Sequence, residues 1–293
     1  MARSFDTSQN PEFGRGLGRE NFLEVFDRAH NRAQESLAEE AIDERDFEDL
    51  YSPKTVRDDR AYVAEMERRF ESSDTLAMAE IKRMSTVFEA LMNEQIELNE
   101  WLGPDVKTRT ASRFDDIKNG VDSIAEIEHE TSTSHLALAF DITHGHDLTR
   151  KMARIKREID QATLTEVKYF ESSDGTFKGK LAKVPRVVIG ADRETLKELI
   201  NLWMSKRNKD LAIHPIQLQI IDEIVMQLEA FQEYAVRTGK NDIAQIYARQ
   251  LALVRGIQTS KQGLYRTSHI DTGYLFNDRV FSGIQESLAI FSE

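Results

Sequence analysis

Two aspartates bracket the one part of the chain that does not read as helix. Asp122 opens the segment "VDSIAEIE" and Asp141 closes the apolar run "HLALAFDIT". If these segments are strands that pair antiparallel, both carboxylates arrive at the same end of one sheet. Carboxylates that close together repel each other unless a cation lies between them. An oxygen-only donor set of this kind suits Mg2+ or Mn2+. The preceding helical stretch offers Glu94 and Glu97, with Glu97 the expected third ligand. Lys168, in "VKYF", lies on the next strand-like segment. An ammonium group there could polarise a metal-bound water or steady the charge that develops on a phosphoryl group.

The elements that must position these groups follow from the hydrophobic pattern. Phe22, Phe26, Ala29, Ala33 and Leu37 recur at helical spacing, and Tyr62, Met66 and Phe70 form a second stripe after Pro53. The clearest helix runs from about Asp74, a candidate N-cap, to Leu102, with Ile81, Met84, Phe88, Leu91 and Leu98 on one face. Gly103 and Pro104 stop it. The period then changes to that of strands, and the continuous run "HLALAFDIT" predicts a strand buried on both faces. Asn119-Gly120 predicts a tight turn just before Asp122, with Asp115 and Asp116 either decorating that hairpin or joining a metal site.

A helix with Leu148, Met152, Ile155 and Ile159 on one face comes next, then the strand-like segments "LTEVKYFES" and "VPRVVIG". From Asp192 onward the chain reads as helices again, with Ile216 to Phe231 and Ile243 to Ile257 as apolar stripes. The predicted fold is α/β and mainly helical, with a small mixed sheet of about four strands. Its expected parts are an arm over 1–18, a helical extension over 19–73, an α/β core over 74–205 and a helical region over 206–293.

At these residues the chain resembles the PD-(D/E)xK nuclease superfamily, whose core runs helix, three strands, helix, strand, with an Asp on one strand and a D/E-x-K motif on the next. Gly120-Val121-Asp122 stands for the first motif and Phe140-Asp141-Ile142-Thr143 for the second, over about 130 of the 293 residues. The resemblance implies a Mg2+- or Mn2+-dependent nuclease acting on phosphodiester bonds, with Asp122, Asp141 and Glu97 holding the metal. Thr143 replaces the motif lysine. The superfamily tolerates a migrated lysine, for which Lys168 is the first candidate and Lys151 the second.

Composition bounds these readings. The chain carries 39 Lys/Arg and 51 Asp/Glu, a formal net charge of −12, which argues against a general nucleic-acid coat. Residues 145–190 reverse the balance, with ten Lys/Arg against six Asp/Glu. Arg150, Arg154, Lys156 and Arg157 of that basic helix either form a solvated face or meet a phosphate backbone. There is no cysteine, which excludes disulfides, zinc–thiolate sites and thiol catalysis. No apolar run is long enough for a membrane span. "MARSFDTSQNPEFGRGLGREN" lacks the apolar stretch of a signal peptide, and a reducing cytoplasm is the expected location.

Four histidines (His129, His135, His144, His146) fall near the acids, but without the HExxH spacing. "GRGLG" follows no strand, and neither a P-loop nor a GxSxG elbow occurs. The opposing reading is a non-catalytic, mainly helical interaction protein that binds a protein partner or another copy through its helical flanks. A third is an enzyme acting on a small phosphorylated molecule.

Overall fold

A computed structural model describes residues 19–73, 75–129, 132–141, 146–268 and 278–292. The helices before the first strand are α1 (Arg19–Glu40), α2 (Glu48–Tyr51), α3 (Pro53–Ser73) and α4 (Leu76–Leu98). Strand β1 (Val106–Thr110) and the short α5 (Arg113–Asn119) lead into β2 (Ser123–His129) and β3 (Ser132–Asp141). Then come α6 (His146–Asp160), β4 (Thr165–Glu171), β5 (Lys178–Val184) and β6 (Arg186–Gly190). The C-terminal helices are α7 (Arg193–Met204), α8 (Asn208–Ala212), α9 (Ile216–Arg237), α10 (Asn241–Ser268) and α11 (Arg279–Ser287).

The fold is α/β and mainly helical, as the sequence predicts, with 67% helix around a mixed four-stranded sheet and a separate two-stranded one. The main sheet has the order β1-β2-β3-β6, with β3 antiparallel to β2 and parallel to β6. Its fourth member is β1, "VKTRT", whose polar alternation hides it from a reading by apolar runs. Among the described residues, segments β4 and β5 pair only with each other. The apolar run from Leu136 to Phe140 is explained by position: β3 lies between two strands and is covered on both faces. Leu136 and Leu138 face the larger core, and Ala137 faces a smaller one built from α3, α5 and the β4–β5 hairpin.

The larger core also takes in Phe26 of α1, Ile220 and Phe231 of α9, and Tyr247 of α10, so the helical flanks wrap the sheet. Edge strand β6 is capped by α9. Gln227 both accepts from Val188 N (2.8 Å) and donates to Val188 O (2.6 Å), while Glu223 accepts from Gly190 N (2.9 Å). One helix thus supplies the hydrogen bonds that a further strand would have made, and it closes an edge open to unwanted pairing.

Local signals set the ends of the elements near Asp122. Thr75, not Asp74, caps α4, by accepting from Met78 N; Asp74 lies outside the described residues. Ser112 caps α5. Gly120 ends α5 in the left-handed region (φ 64°), donating to the carbonyls of Asp115 and Asp116. The Asn119-Gly120 signal therefore marks a helix C-cap rather than a hairpin turn. Glycine is favoured here by its left-handed backbone, and a Cβ would also press on the guanidinium ends of Arg154 (3.0 Å) and Arg186 (3.3 Å). Among the described residues no helix is long and apolar enough to cross a membrane.

Candidate active site

The C-cap at Gly120 turns the chain into β2 so that Asp122 stands at the head of that strand. Its Oδ2 accepts from Phe140 N at 2.7 Å, which ties the head of β2 to the tail of β3. The carbonyl of the same Phe140 accepts from Lys151 Nζ, also at 2.7 Å. Asp122 and Lys151 thus hold the same residue of β3, one at its N–H and the other at its C=O. Both line a cavity of about 620 Å3 walled by α4, α5 and α6.

Two further carboxylates line the same cavity: Glu89 of α4 and Asp116 of α5. Asp116 lies close enough to Asp122 for that carboxylate to favour the protonated form of Asp116. Burial, and then the Asp122 charge, pushes Asp116 up to about 7, although Arg113 beside it opposes the shift. Burial and the charges of Asp122 and Asp116 likewise hold Glu89 well above the ordinary glutamate range. Arg113 is divided between Asp116 and Glu67, the latter at 2.7 Å. Across the cavity, Arg150, Lys151, Arg154 and Arg157 of α6 form a cationic wall, to which Lys82 of α4 adds a charge.

The predicted residues divide cleanly. Asp122, Lys151, Arg150, Arg154 and Arg157 come together at this cavity. Asp141 is the last residue of β3, in register with Gly190, at the sheet end that Asp122 occupies. The Asp141 side chain lies outside the described residues, as do Thr143, His144, and the side chains of His129 and His146.

Three predictions fail on position. Glu97 is two turns too far along α4 and accepts from Thr108 N (3.0 Å) and its hydroxyl (3.2 Å). Its neighbour Glu94 serves Arg32 and the Trp203 indole. Lys168 sits on the separate β4–β5 hairpin, where it pairs with Asp59 among the rings of Tyr51, Phe114 and Tyr169. Lys156 turns to the opposite side of α6, donating to Ile290 O (2.6 Å) over the Tyr234 ring.

Glu89 is the carboxylate that the sequence reading missed. A usable signal was the helical spacing of Lys82, Ser85 and Glu89, which puts all three on one face of α4. His135 faces Glu126 (3.8 Å) and the Phe170 ring, and it does not line the cavity. Among the described residues no three Asp, Glu or His side chains converge closely enough to hold a metal ion by themselves.

No family model matches the chain, and neither the curated proteins nor the solved structures contain a match to it.

Proposed function

We propose that the chain is a divalent-metal-dependent phosphodiesterase that cleaves nucleic acid at the cavity containing Asp122. The observation that carries this reading is the crowding of Glu89, Asp116 and Asp122 opposite a face of α6 that bears Lys151 and three arginines. Structural carboxylates are normally neutralised or saturated with donors. Here burial and the neighbouring carboxylate charge raise the proton affinity of Glu89 and Asp116 instead, an arrangement that a cation or a proton must relieve. The order α4-β1-β2-β3-α6-β6 also follows the PD-(D/E)xK core pattern, with α5 and the β4–β5 hairpin as additions.

The donor set fits a hard cation. Mg2+ is commonly held by one or two carboxylates, with waters and substrate phosphates filling the remaining positions. Asp122 and Asp141 would hold it, with Asp116 and Glu89 beside them. A bound Mg2+ or Mn2+ would supply Lewis-acid polarisation of the scissile phosphate. The residues of the chain do the rest. Asp116, poised near neutral pH, accepts the proton of the attacking water as its oxygen bonds to phosphorus. Lys151 compensates the added negative charge while the bond to the leaving sugar oxygen breaks. The arginines of α6 neutralise flanking phosphates. In this reading Lys151 is the migrated lysine that stands in for Thr143.

The test is thermal unfolding with and without Mg2+ or Mn2+, joined to a cleavage assay, on the native chain and on Asp141→Ala. Binding to the folded state alone raises the midpoint by mass action. The native chain should shift upward and cleave, and Asp141→Ala should do neither while keeping its fold. Unchanged cleavage in the variant would remove Asp141 from the site. No shift and no cleavage in the native chain would favour the second reading, a non-catalytic interaction module. One observation points that way, the engagement of Lys151 Nζ by Phe140 O.

A further inference from the structure

We infer that the strand entering the cavity is unpaired: the site takes a single-stranded segment or frayed end of nucleic acid, with phosphates along α6 and bases toward α3 and α4. The inference rests on the phosphodiesterase reading and narrows its substrate.

The two walls of the cavity differ in chemistry. On α6, Arg150, Arg154 and Arg157 recur at spacings of four and three and so share one face. Arg157 is exposed, and its guanidinium has no hydrogen bond or ion pair among the described residues. The opposite wall brings exposed apolar side chains to its mouth and just beyond it. Along α4 the cavity-facing stripe runs outward from Glu89 through Ser85 to Lys82, and Met78, 50% exposed, stands one turn beyond. Phe70 of α3 lines the same cavity and is 40% exposed.

A duplex carries phosphates on both outer edges and hides the faces of its bases, so it has no use for an aromatic and thioether lip. A single strand presents phosphate on one side and base faces on the other, which suits a cationic wall facing an exposed ring. Size points the same way. A cavity of about 620 Å3 is of small-molecule dimensions, room for a nucleotide or two but not for the cross-section of a duplex. Asp122 is half-buried at the strand end, a depth that favours a phosphate free to leave a duplex surface.

The experiment is fluorescence anisotropy of the full chain in EDTA, with labelled oligothymidylate and a blunt hairpin duplex as probes. Cleavage of the same two probes is then followed in Mn2+. The native chain should bind the single strand at least about tenfold more tightly than the duplex. Phe70→Ala should weaken single-strand binding about five- to tenfold, the effect of losing one stacking platform, and leave duplex binding unchanged. Arg157→Ala should weaken both and flatten the salt dependence of single-strand binding by about 0.7 in log–log slope. Equal or tighter duplex binding, or a Phe70→Ala variant that binds like the native chain, overturns the inference. Cleavage of the duplex but not of the single strand overturns it too, while leaving the phosphodiesterase reading standing. Selective single-strand binding without cleavage of either probe does the reverse.

Discussion

Asp115 and Asp116 are adjacent on α5, yet the two faces of that helix treat a carboxylate in opposite ways. Asp115 is fully buried against the β4–β5 hairpin and accepts four hydrogen bonds. They come from Lys168 N (2.8 Å), Tyr169 N (2.9 Å), Asn119 Nδ2 (2.7 Å) and Ser112 Oγ (2.8 Å). Burial raises its pKa all the same, and the four donors only moderate the rise. Asp116, one residue on, looks into the cavity, where its neighbours are Asp122 and Arg113. A carboxylate that holds structure is saturated with donors. One kept for chemistry retains proton affinity and open acceptor capacity.

That contrast is broken most forcefully at Asp115. Asp115→Ala strands two backbone N–H groups of β4 and the Asn119 amide in a site closed to water, each costing roughly 1–3 kcal/mol. The expected loss is about 4 kcal/mol by denaturant unfolding, against a change within about 0.5 kcal/mol for Asp116→Ala, which removes crowding as well as contacts. Comparable losses at both positions would erase the distinction.

The satisfied region extends beneath the cavity. Arg186, 4% exposed, donates to the carbonyls of Asn119 and Gly120 and to Glu158 Oε1 (2.6 Å), which locks the α5 C-cap to α6. Glu158→Ala leaves a buried guanidinium without its counter-ion and should cost about 3 kcal/mol. The variant Glu158→Gln, which keeps an acceptor, should recover part of that. A loss no larger than for an exposed ion pair, about 0.5 kcal/mol, would show that the backbone carbonyls alone satisfy Arg186.

The contrast between the two aspartates also marks how far the sequence could be read. Asp122 and Asp141 at one sheet end follow from strand pairing, because an apolar run and an acid at each boundary are visible in one dimension. The basic face of α6 is legible for the same reason, since helical spacing fixes which side chains share a side. What distance along the chain conceals is which strands pair. "VKYF" has the β-branched and aromatic residues of a strand, but nothing in it says that β4 joins β5 rather than the main sheet, and Lys168 went with it. Strand β1 is short, polar at alternate positions, and recognised only once β2 lies beside it. Asp115 and Asp116 are indistinguishable by type, and only the helical turn between them sends one into the core and the other into the cavity.

A smaller effect sharpens the comparison through pH. The folded-state pKa of Asp116, about 7, lies above its ordinary value of 3.8, so the folded chain holds a proton that the unfolded chain has released. Stability from this group is therefore fully present below about pH 4 and lost as pH rises toward 7 and beyond. Glu89 acts in the same direction. In EDTA, the native midpoint should fall relative to that of Asp116→Asn between pH 4 and 7, and Mg2+ should reverse the difference above pH 7. Parallel curves for the two proteins across this range would mean that Asp116 is not protonated near neutrality.

The smallest expected change in stability separates the two lysines. Lys168 pairs with Asp59, which also accepts from the Tyr169 hydroxyl at 2.5 Å, so removing the ammonium leaves that carboxylate one strong donor. Lys168→Gln should therefore cost only about 1 kcal/mol, at the level of a single net hydrogen bond, and leave cleavage untouched, because the hairpin lies outside the cavity. Lys151→Gln keeps a donor within reach of Phe140 O and should cost less still, within about 0.5 kcal/mol. Its effect belongs to the reaction, because an amide cannot offset the charge that builds on phosphorus, and cleavage should fall by at least about a hundredfold. If instead Lys168→Gln slowed cleavage and Lys151→Gln did not, the reacting phosphate would have to sit on the Asp115 side of α5. That side is filled by Phe114, Val167 and Tyr169, and a nucleotide could reach it only after the smaller core had opened.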